Sequence, residues 1–166
     1  MTKPLVFMMG RSPTFLPTDR KYARNHMWAC AAGAGYRVGL SAYAVKLLGD
    51  VHHLEWSAEP QSRITSGQEI GFIEGSKATS DLYAPMAGKV VEINHAVLAD
   101  PTLVNSNLYD AGWLLAIALP SAGHLQCPAE WAGEHLLSPE EYLALLEASW
   151  PLAQRLLKGQ VGANHG

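Results

Sequence analysis

The stretch Glu74-Gly75-Ser76-Lys77-Ala78-Thr79-Ser80-Asp81 holds one of only six lysines in 166 residues, set between two small side chains. A lysine amine becomes a covalent handle when an enzyme delivers an activated acyl group to it, which requires an accessible side chain with little bulk beside it. The flanking segments, Glu69 to Gly75 and Ser80 to Pro85, are short, rich in apolar and β-forming residues, and separated by only Ser76, Lys77, Ala78 and Thr79. That spacing predicts a β-hairpin with Lys77 at or near its tip. By spacing alone, the same pattern also describes an ordinary solvated turn lysine.

Other groups offer less chemistry. Cys30 and Cys127 lie far apart in no metal-ligand spacing, which predicts two reduced thiols and neither a disulfide nor a zinc site. His52 and His53 are adjacent in a strand-like run, so they are expected on opposite faces and not in a joint metal site. Trp56, Trp113, Trp131 and Trp150 read as core or helix-packing residues, and Glu140, Glu141 and Glu147 as a solvated helix face. No catalytic constellation is expected.

The elements that must carry the hairpin are mostly strands. From Tyr36 onward, segments of four to eight residues rich in Val, Ile, Tyr and Trp recur between glycines and prolines, which predicts an antiparallel β domain. Ser41 can cap a short helix that Gly49 ends. His95 to Asn107 reads as a loop with a helical turn, since Asp100-Pro101 favours a turn. Near the C-terminus, Ser138 is a good N-cap, Pro139 suits the first helical position, Glu141 completes a capping box, and Leu137 faces Tyr142 as a staple. Pro151 is expected to break or kink that helix. The expected organisation is an N-terminal arm over residues 1–20, one domain over 21–150, and a short helical extension with a frayed tail over 151–166.

Composition excludes several classes. With 48% apolar and 16% charged residues the chain is a folded one, and a net charge of -3 with pI near 6.1 leaves no basic stripe for nucleic acid. The apolar run Leu5 to Met9 is too short for a membrane span or a usual signal-peptide core. A cytoplasmic location is expected; the lack of acids before Asp19 would also suit a short organelle transit peptide, although Pro4, Pro13 and Pro17 oppose an amphipathic helix. Between Ser41 and Leu119 nine acids face four bases, an acidic balance suited to transient docking on basic partner surfaces.

Taken with its surroundings, Gly71 to Ile117 closely resembles the lipoyl region of the glycine cleavage system H protein family. Tyr22 to Trp28, Val38 to Trp56, Ser66 to Gly71 and Leu136 to Glu147 extend the resemblance, which runs from about Tyr22 to Glu147. Its most specific positions are Glu74, Lys77, Ala78, Ser80, Asp81, Ala84, Pro85, Gly88, Val104, Asn105, Gly112 and Trp113. The resemblance implies a mainly β fold with helices (α+β), the barrel-sandwich hybrid, in which two antiparallel sheets are related by a quasi-two-fold axis and accompanied by a short internal helix and a C-terminal helix. It would explain an internal echo, since Gly49-Asp50-Val51 and Gly88-Lys89-Val90 both open alternating segments. It also implies lipoic acid in amide linkage on Lys77, with Glu74, Gly75, Ser76, Ala78 and Asp81 around the attachment and with His26 and Met27 in the adjoining cleft. The implied partners are a lipoate-protein ligase or lipoyltransferase, glycine decarboxylase, aminomethyltransferase and dihydrolipoyl dehydrogenase, served by a carrier that is not itself catalytic.

Biotinyl domains usually flank their lysine with methionines, unlike Ser76 and Ala78. Lipoyl domains of 2-oxoacid dehydrogenases usually lack the two helices. Within the resemblance there are departures. Glu-Gly-Ser-Lys stands where the family commonly has Glu-Ser-Val-Lys, so Gly75 is expected to make the turn more permissive. Asn25-His26-Met27-Trp28 stands for a Ser-His-Glu-Trp stretch, exchanging a carboxylate for the thioether of Met27, with His26 expected beside Trp28. Lys46 and Leu47 replace acidic or histidine side chains. The leading reading is a carrier of aminomethyl in glycine cleavage. The alternatives are a lipoate-binding carrier for another pathway, such as heterodisulfide-reductase-like sulfur oxidation, and an unmodified H-like binding module.

Overall fold

The computed structural model describes residues 3–32, 35–118 and 136–151. Two sheets form the body. The larger holds Lys21–Tyr22 (β3), Met27–Ala32 (β4), Gly35–Leu40 (β5), Arg63–Ile64 (β7), Gly88–Ile93 (β10) and Leu115–Ala118 (β11), in the order β3-β4-β5-β11-β10-β7. Val51–Trp56 (β6), Glu69–Gly75 (β8) and Thr79–Tyr83 (β9) make the smaller sheet, with β8 central. Leu54 and Ile73 from the smaller sheet meet Met27, Val38, Val90 and Ile117 from the larger in one buried core. The mainly β, two-sheet body is thus as expected.

Strand alternation makes the larger sheet two-sided. Met27 and Ala29 face the inter-sheet core, while Trp28 joins a second buried cluster with Tyr22, Tyr142 and Leu146. That cluster is covered by a C-terminal helix over residues 139–151 (α4). Its capping box is formed as the sequence predicts: Glu141 Oε1 accepts from the Ser138 amide at 2.8 Å and the Glu141 amide donates to Ser138 Oγ at 3.1 Å. Those bonds to Ser138 hold the Glu141 carboxyl below the ordinary carboxylate range. The Tyr22 and Tyr142 rings stack 4.6 Å apart, and Tyr22 bridges to Leu137, which seats the start of α4 on β3. The helix is described up to Pro151, so the break expected there and the extension beyond it, together with Cys127 and Trp131, lie outside the described residues.

The internal echo extends to irregularities. A β-bulge interrupts β6 between Val51 and His53 and another interrupts β10 between Val90 and Glu92, at matching distances from Gly49 and Gly88. Each bulge leaves two successive residues exposed, His52 and His53 in one strand, Val91 and Glu92 in the other. The expectation of opposite faces for the two histidines is therefore corrected, because an inserted residue breaks the period of two. Among the described residues no cluster of three or more His, Cys, Asp or Glu could hold a metal.

The segment read as an arm is a hairpin of Leu5–Met9 (β1) and Ser12–Leu16 (β2). Phe7 and Leu16 are buried, and Phe7 meets the Tyr43 and Trp150 rings edge-on. Fully burying a ring such as Phe7 contributes roughly 2 to 3 kcal/mol. His95–Ala99 (α2) and Leu103–Ser106 (α3) replace the single helical turn expected after β10. No helix among the described residues is long and apolar enough to cross a membrane.

Candidate functional site

Ala42–Leu48 forms a helix (α1) capped by Ser41, as the sequence predicts. It ends at Gly49, whose φ of 79° is disfavoured for any residue with a Cβ and turns the chain directly into β6. The hairpin of β8 and β9 reaches back to this corner. The Lys77 amide donates to the Leu48 carbonyl at 2.8 Å, the Ser76 amide to the Asp50 carbonyl at 2.9 Å, and the Asp50 amide to Ser76 Oγ at 3.0 Å. Lys77 therefore has a fixed backbone and an exposed side chain. Its neighbours Ser76 and Ala78 are exposed as well.

Gly75 is needed here for room and not for permissiveness. Its φ is not positive, and a Cβ built on it would overlap the Leu48 carbonyl oxygen. The corner is braced from α3 by Asn105, whose Oδ1 accepts from the Val51 amide at 2.8 Å and whose Nδ2 donates to the Gly49 carbonyl at 3.0 Å. Asn105→Ala is expected to lower unfolding free energy by about 1 to 3 kcal/mol, since it leaves two part-buried backbone groups without partners. Urea denaturation of the purified variant measures it.

Beside the tip is a cleft of about 260 Å³. Buried Met27, Leu48 and Ile73 give it an apolar floor, and exposed Ala78, Ser80 and Asp81 of the hairpin form one rim. Asn25 and His26 line it from the turn before β4. Asn25 Nδ2 donates to the Tyr83 carbonyl at 2.8 Å, tying that turn to the end of β9, while its Oδ1 is buried without a hydrogen-bond partner.

His26 has a φ of 71°, and its Nδ1 stands 2.9 Å from the Tyr142 hydroxyl, which is 2.7 Å from Ser41 Oγ. Burial pushes the His26 pKa below the ordinary histidine value. A neutral imidazole accepting at Nδ1 fits a chain in which Ser41 donates to Tyr142 and Tyr142 to His26. Burial also raises the Tyr142 hydroxyl, which thus remains a donor.

The unfolded chain binds a proton at this histidine that the folded chain refuses. Stability from that difference is present above the unfolded pKa, about 6.5, and is lost as pH falls toward the lower folded value. Thermal midpoints are therefore expected to drop as pH is lowered from about 7 to about 5. In His26→Asn, which tolerates the left-handed φ and does not titrate, the drop should be shallower.

Comparisons with known proteins agree with this geometry. A family model described as "Glycine cleavage H-protein" matches residues 20–148. The chain belongs to the glycine cleavage H-protein family. The glycine cleavage system H protein of Carboxydothermus hydrogenoformans is 39% identical over 132 residues, covering 80% of this chain and 95% of that protein. That of Beutenbergia cavernae is 39% identical over 117 residues, covering 70% and 94%. The crystal structure of a glycine cleavage system H protein from Mycobacterium marinum matches with a TM-score of 0.58 and 35% identity, over 72% of this chain and 98% of that one.

In this member of the H-protein family, the fold brings His26 and Met27 to the same cleft as Ala78 and Asp81, while Glu74 and Gly75 are half-buried at the end of β8. His26 does not sit as expected beside Trp28. Its ring lies against Tyr43 and Tyr142, 4.9 and 5.7 Å away, whereas Trp28 lies against Tyr109 and Arg20. Leu47 lines the cleft, but Lys46 turns away, its Nζ bonding Ser12 Oγ and the Pro13 carbonyl. Cys30 is half-buried on the face of β4 away from Met27, in a separate depression with Arg20 and Arg37. Sequence reasoning missed the bracing by Asn105 and the Ser41-Tyr142-His26 chain; Asn105 stood among the specific positions of the resemblance without a role.

Proposed function

We infer that this chain is the lipoyl carrier of a glycine cleavage system, with lipoic acid joined by an amide to Nζ of Lys77. The observation that carries this reading is the combination at Lys77 of an exposed side chain with a backbone pinned beside an apolar cleft. The residues present suit the group. The apolar floor of Met27, Leu48 and Ile73 matches an aliphatic chain, and the unpartnered Asn25 Oδ1 supplies a buried acceptor for a donor entering the cleft. When bound, lipoate supplies a dithiolane able to accept an aminomethyl group and, after its release, to be reoxidised.

The protein's own residues position, shield and present. Leu48, Asp50 and Ser76 fix the tip relative to the cleft. Asp81 stands at the cleft rim with its Oδ2 accepting from the Tyr83 hydroxyl at 3.4 Å, and His26 offers a neutral polar group. On the outer face of the smaller sheet, Glu55, Phe72 and Asp81 stand in cross-strand register, with Glu74 opposite His53. These carboxylates favour brief encounters with basic surfaces of partner enzymes. The proposed partners are a lipoate-protein ligase or lipoyltransferase for Lys77, and glycine decarboxylase, aminomethyltransferase and dihydrolipoyl dehydrogenase as the enzymes served. The names of the relatives favour this pathway over sulfur oxidation.

Intact-mass analysis after incubation with a lipoate-protein ligase, lipoate and ATP tests the attachment. One lipoyl adduct, mapped to the peptide containing Lys77, is expected. An unmodified protein, or an adduct on another lysine, would reject it.

A further inference from the structure

The hairpin of β1 and β2 precedes the family match, which begins at residue 20. Its strands are joined by Gly10 and Arg11, with Met9 opposite Ser12 and Gly10 at a φ of 66°. A two-residue hairpin loop makes the closing pair a hydrogen-bonded one, after which bonded and non-bonded pairs alternate. Met8 opposite Pro13 and Val6 opposite Phe15 are then non-bonded pairs, consistent with Pro13 having no amide hydrogen. In such pairs the backbone groups point away from the hairpin, so each strand presents an outer edge.

The two edges are treated differently. On β2, Pro13 offers no donor, its carbonyl accepts from Lys46 Nζ at 2.5 Å, and the Phe15 carbonyl accepts from the Tyr109 hydroxyl at 3.2 Å. Of the outward groups on that edge, only the Phe15 amide has no partner among the described residues. On β1, neither Val6 nor Met8 has a backbone bond to any other described element, and the edge carries neither proline nor charge between Leu5 and Met9. Val6 is 46% exposed, Met8 49% and Phe15 52%, so the open edge adjoins an apolar face. The ribbon itself is firmly held, through Phe7 against Tyr43 and Trp150 and through Lys46.

An open, apolar edge on an anchored ribbon is a template for strand addition, which native proteins ordinarily block. The charges nearby select among occupants. Lys3 and Arg11 are exposed at the two ends of β1, and no carboxylate occurs before Asp19. A second copy paired antiparallel through Val6 and Met8 would set Lys3 against Arg11 of its mate at both ends, which is repulsive. We propose that β1 is a docking edge for an extended segment of a partner protein, apolar on alternate residues and carrying a carboxylate at each end.

The test uses the full-length chain, labelled for amide NMR, and two blocked synthetic peptides: acetyl-Asp-Val-Thr-Val-Thr-Val-Asp-amide and its counterpart with lysine at both ends. Saturable shifts centred on the Val6 and Met8 amides are expected with the acid-ended peptide, with affinity at least about tenfold above that of the lysine-ended one. Met8→Pro removes an outward amide without touching the inner ladder and should abolish binding while leaving the thermal midpoint near that of the parent. No saturable shift at millimolar peptide, equal response to both peptides, or binding retained in Met8→Pro would overturn the proposal. So would concentration-dependent dimerisation through β1, or the same shifts on anionic lipid vesicles, since each names another occupant.

Discussion

Lys77→Arg is expected to take no lipoyl group and to reduce lipoate-dependent glycine turnover to the background of the apo-carrier. Arginine keeps a positive charge at the tip, but its guanidinium is not an acyl acceptor. The backbone bonds that hold the tip run through the Lys77 amide and through Ser76, and arginine leaves both in place. Because the side chain is exposed, stability should change by no more than about 0.5 kcal/mol. Function and fold therefore separate at this position. An adduct surviving in Lys77→Arg would mean that another amine is the handle.

Gly75→Val is expected to have the opposite signature, with both stability and modification impaired while Lys77 itself remains. Any Cβ there overlaps the Leu48 carbonyl oxygen, which belongs to the backbone at the end of α1 and cannot rotate away. Relief requires the tip to lift, losing the bond from the Lys77 amide to Leu48 and the exchange between Ser76 and Asp50. A cost of about 2 to 4 kcal/mol follows from overpacking together with the lost bonds. Urea denaturation measures the first effect and time-resolved mass analysis of lipoylation the second. Unchanged stability would show that the close approach at Gly75 does not hold the tip.

Local signals were legible where a few neighbouring residues decide the outcome. Ser138 and Glu141 are three residues apart and satisfy each other's backbone donors, so the start of α4 could be read directly. Ser41 and Gly49 bound α1 for the same reason, and the alternation around Lys77 gave the β8 and β9 hairpin. What escaped depended on distant contacts. Nothing local tells that Lys46 reaches Pro13, that His26 adopts a left-handed backbone to meet Tyr142 on α4, or that Asn105 spans to Gly49 and Val51.

Gly75 was misread for an instructive reason. A glycine in a turn sequence suggests conformational freedom, whereas here the missing Cβ lets two backbones touch. The prolines of the N-terminal segment correctly opposed a helix, but a proline on the outer edge of a strand is compatible with a hairpin, as Pro13 shows. The bulges in β6 and β10 likewise broke a period that sequence alone would have continued, and they did so in both sheets.

Reconstitution with glycine decarboxylase, aminomethyltransferase, dihydrolipoyl dehydrogenase, tetrahydrofolate and NAD+ as the oxidant tests the proposed function most directly. The lipoylated chain should support continuous glycine-dependent NADH formation that vanishes with unlipoylated protein and with Lys77→Arg. Fully lipoylated protein that supports no glycine turnover, with partner enzymes shown active on another H protein, would contradict it.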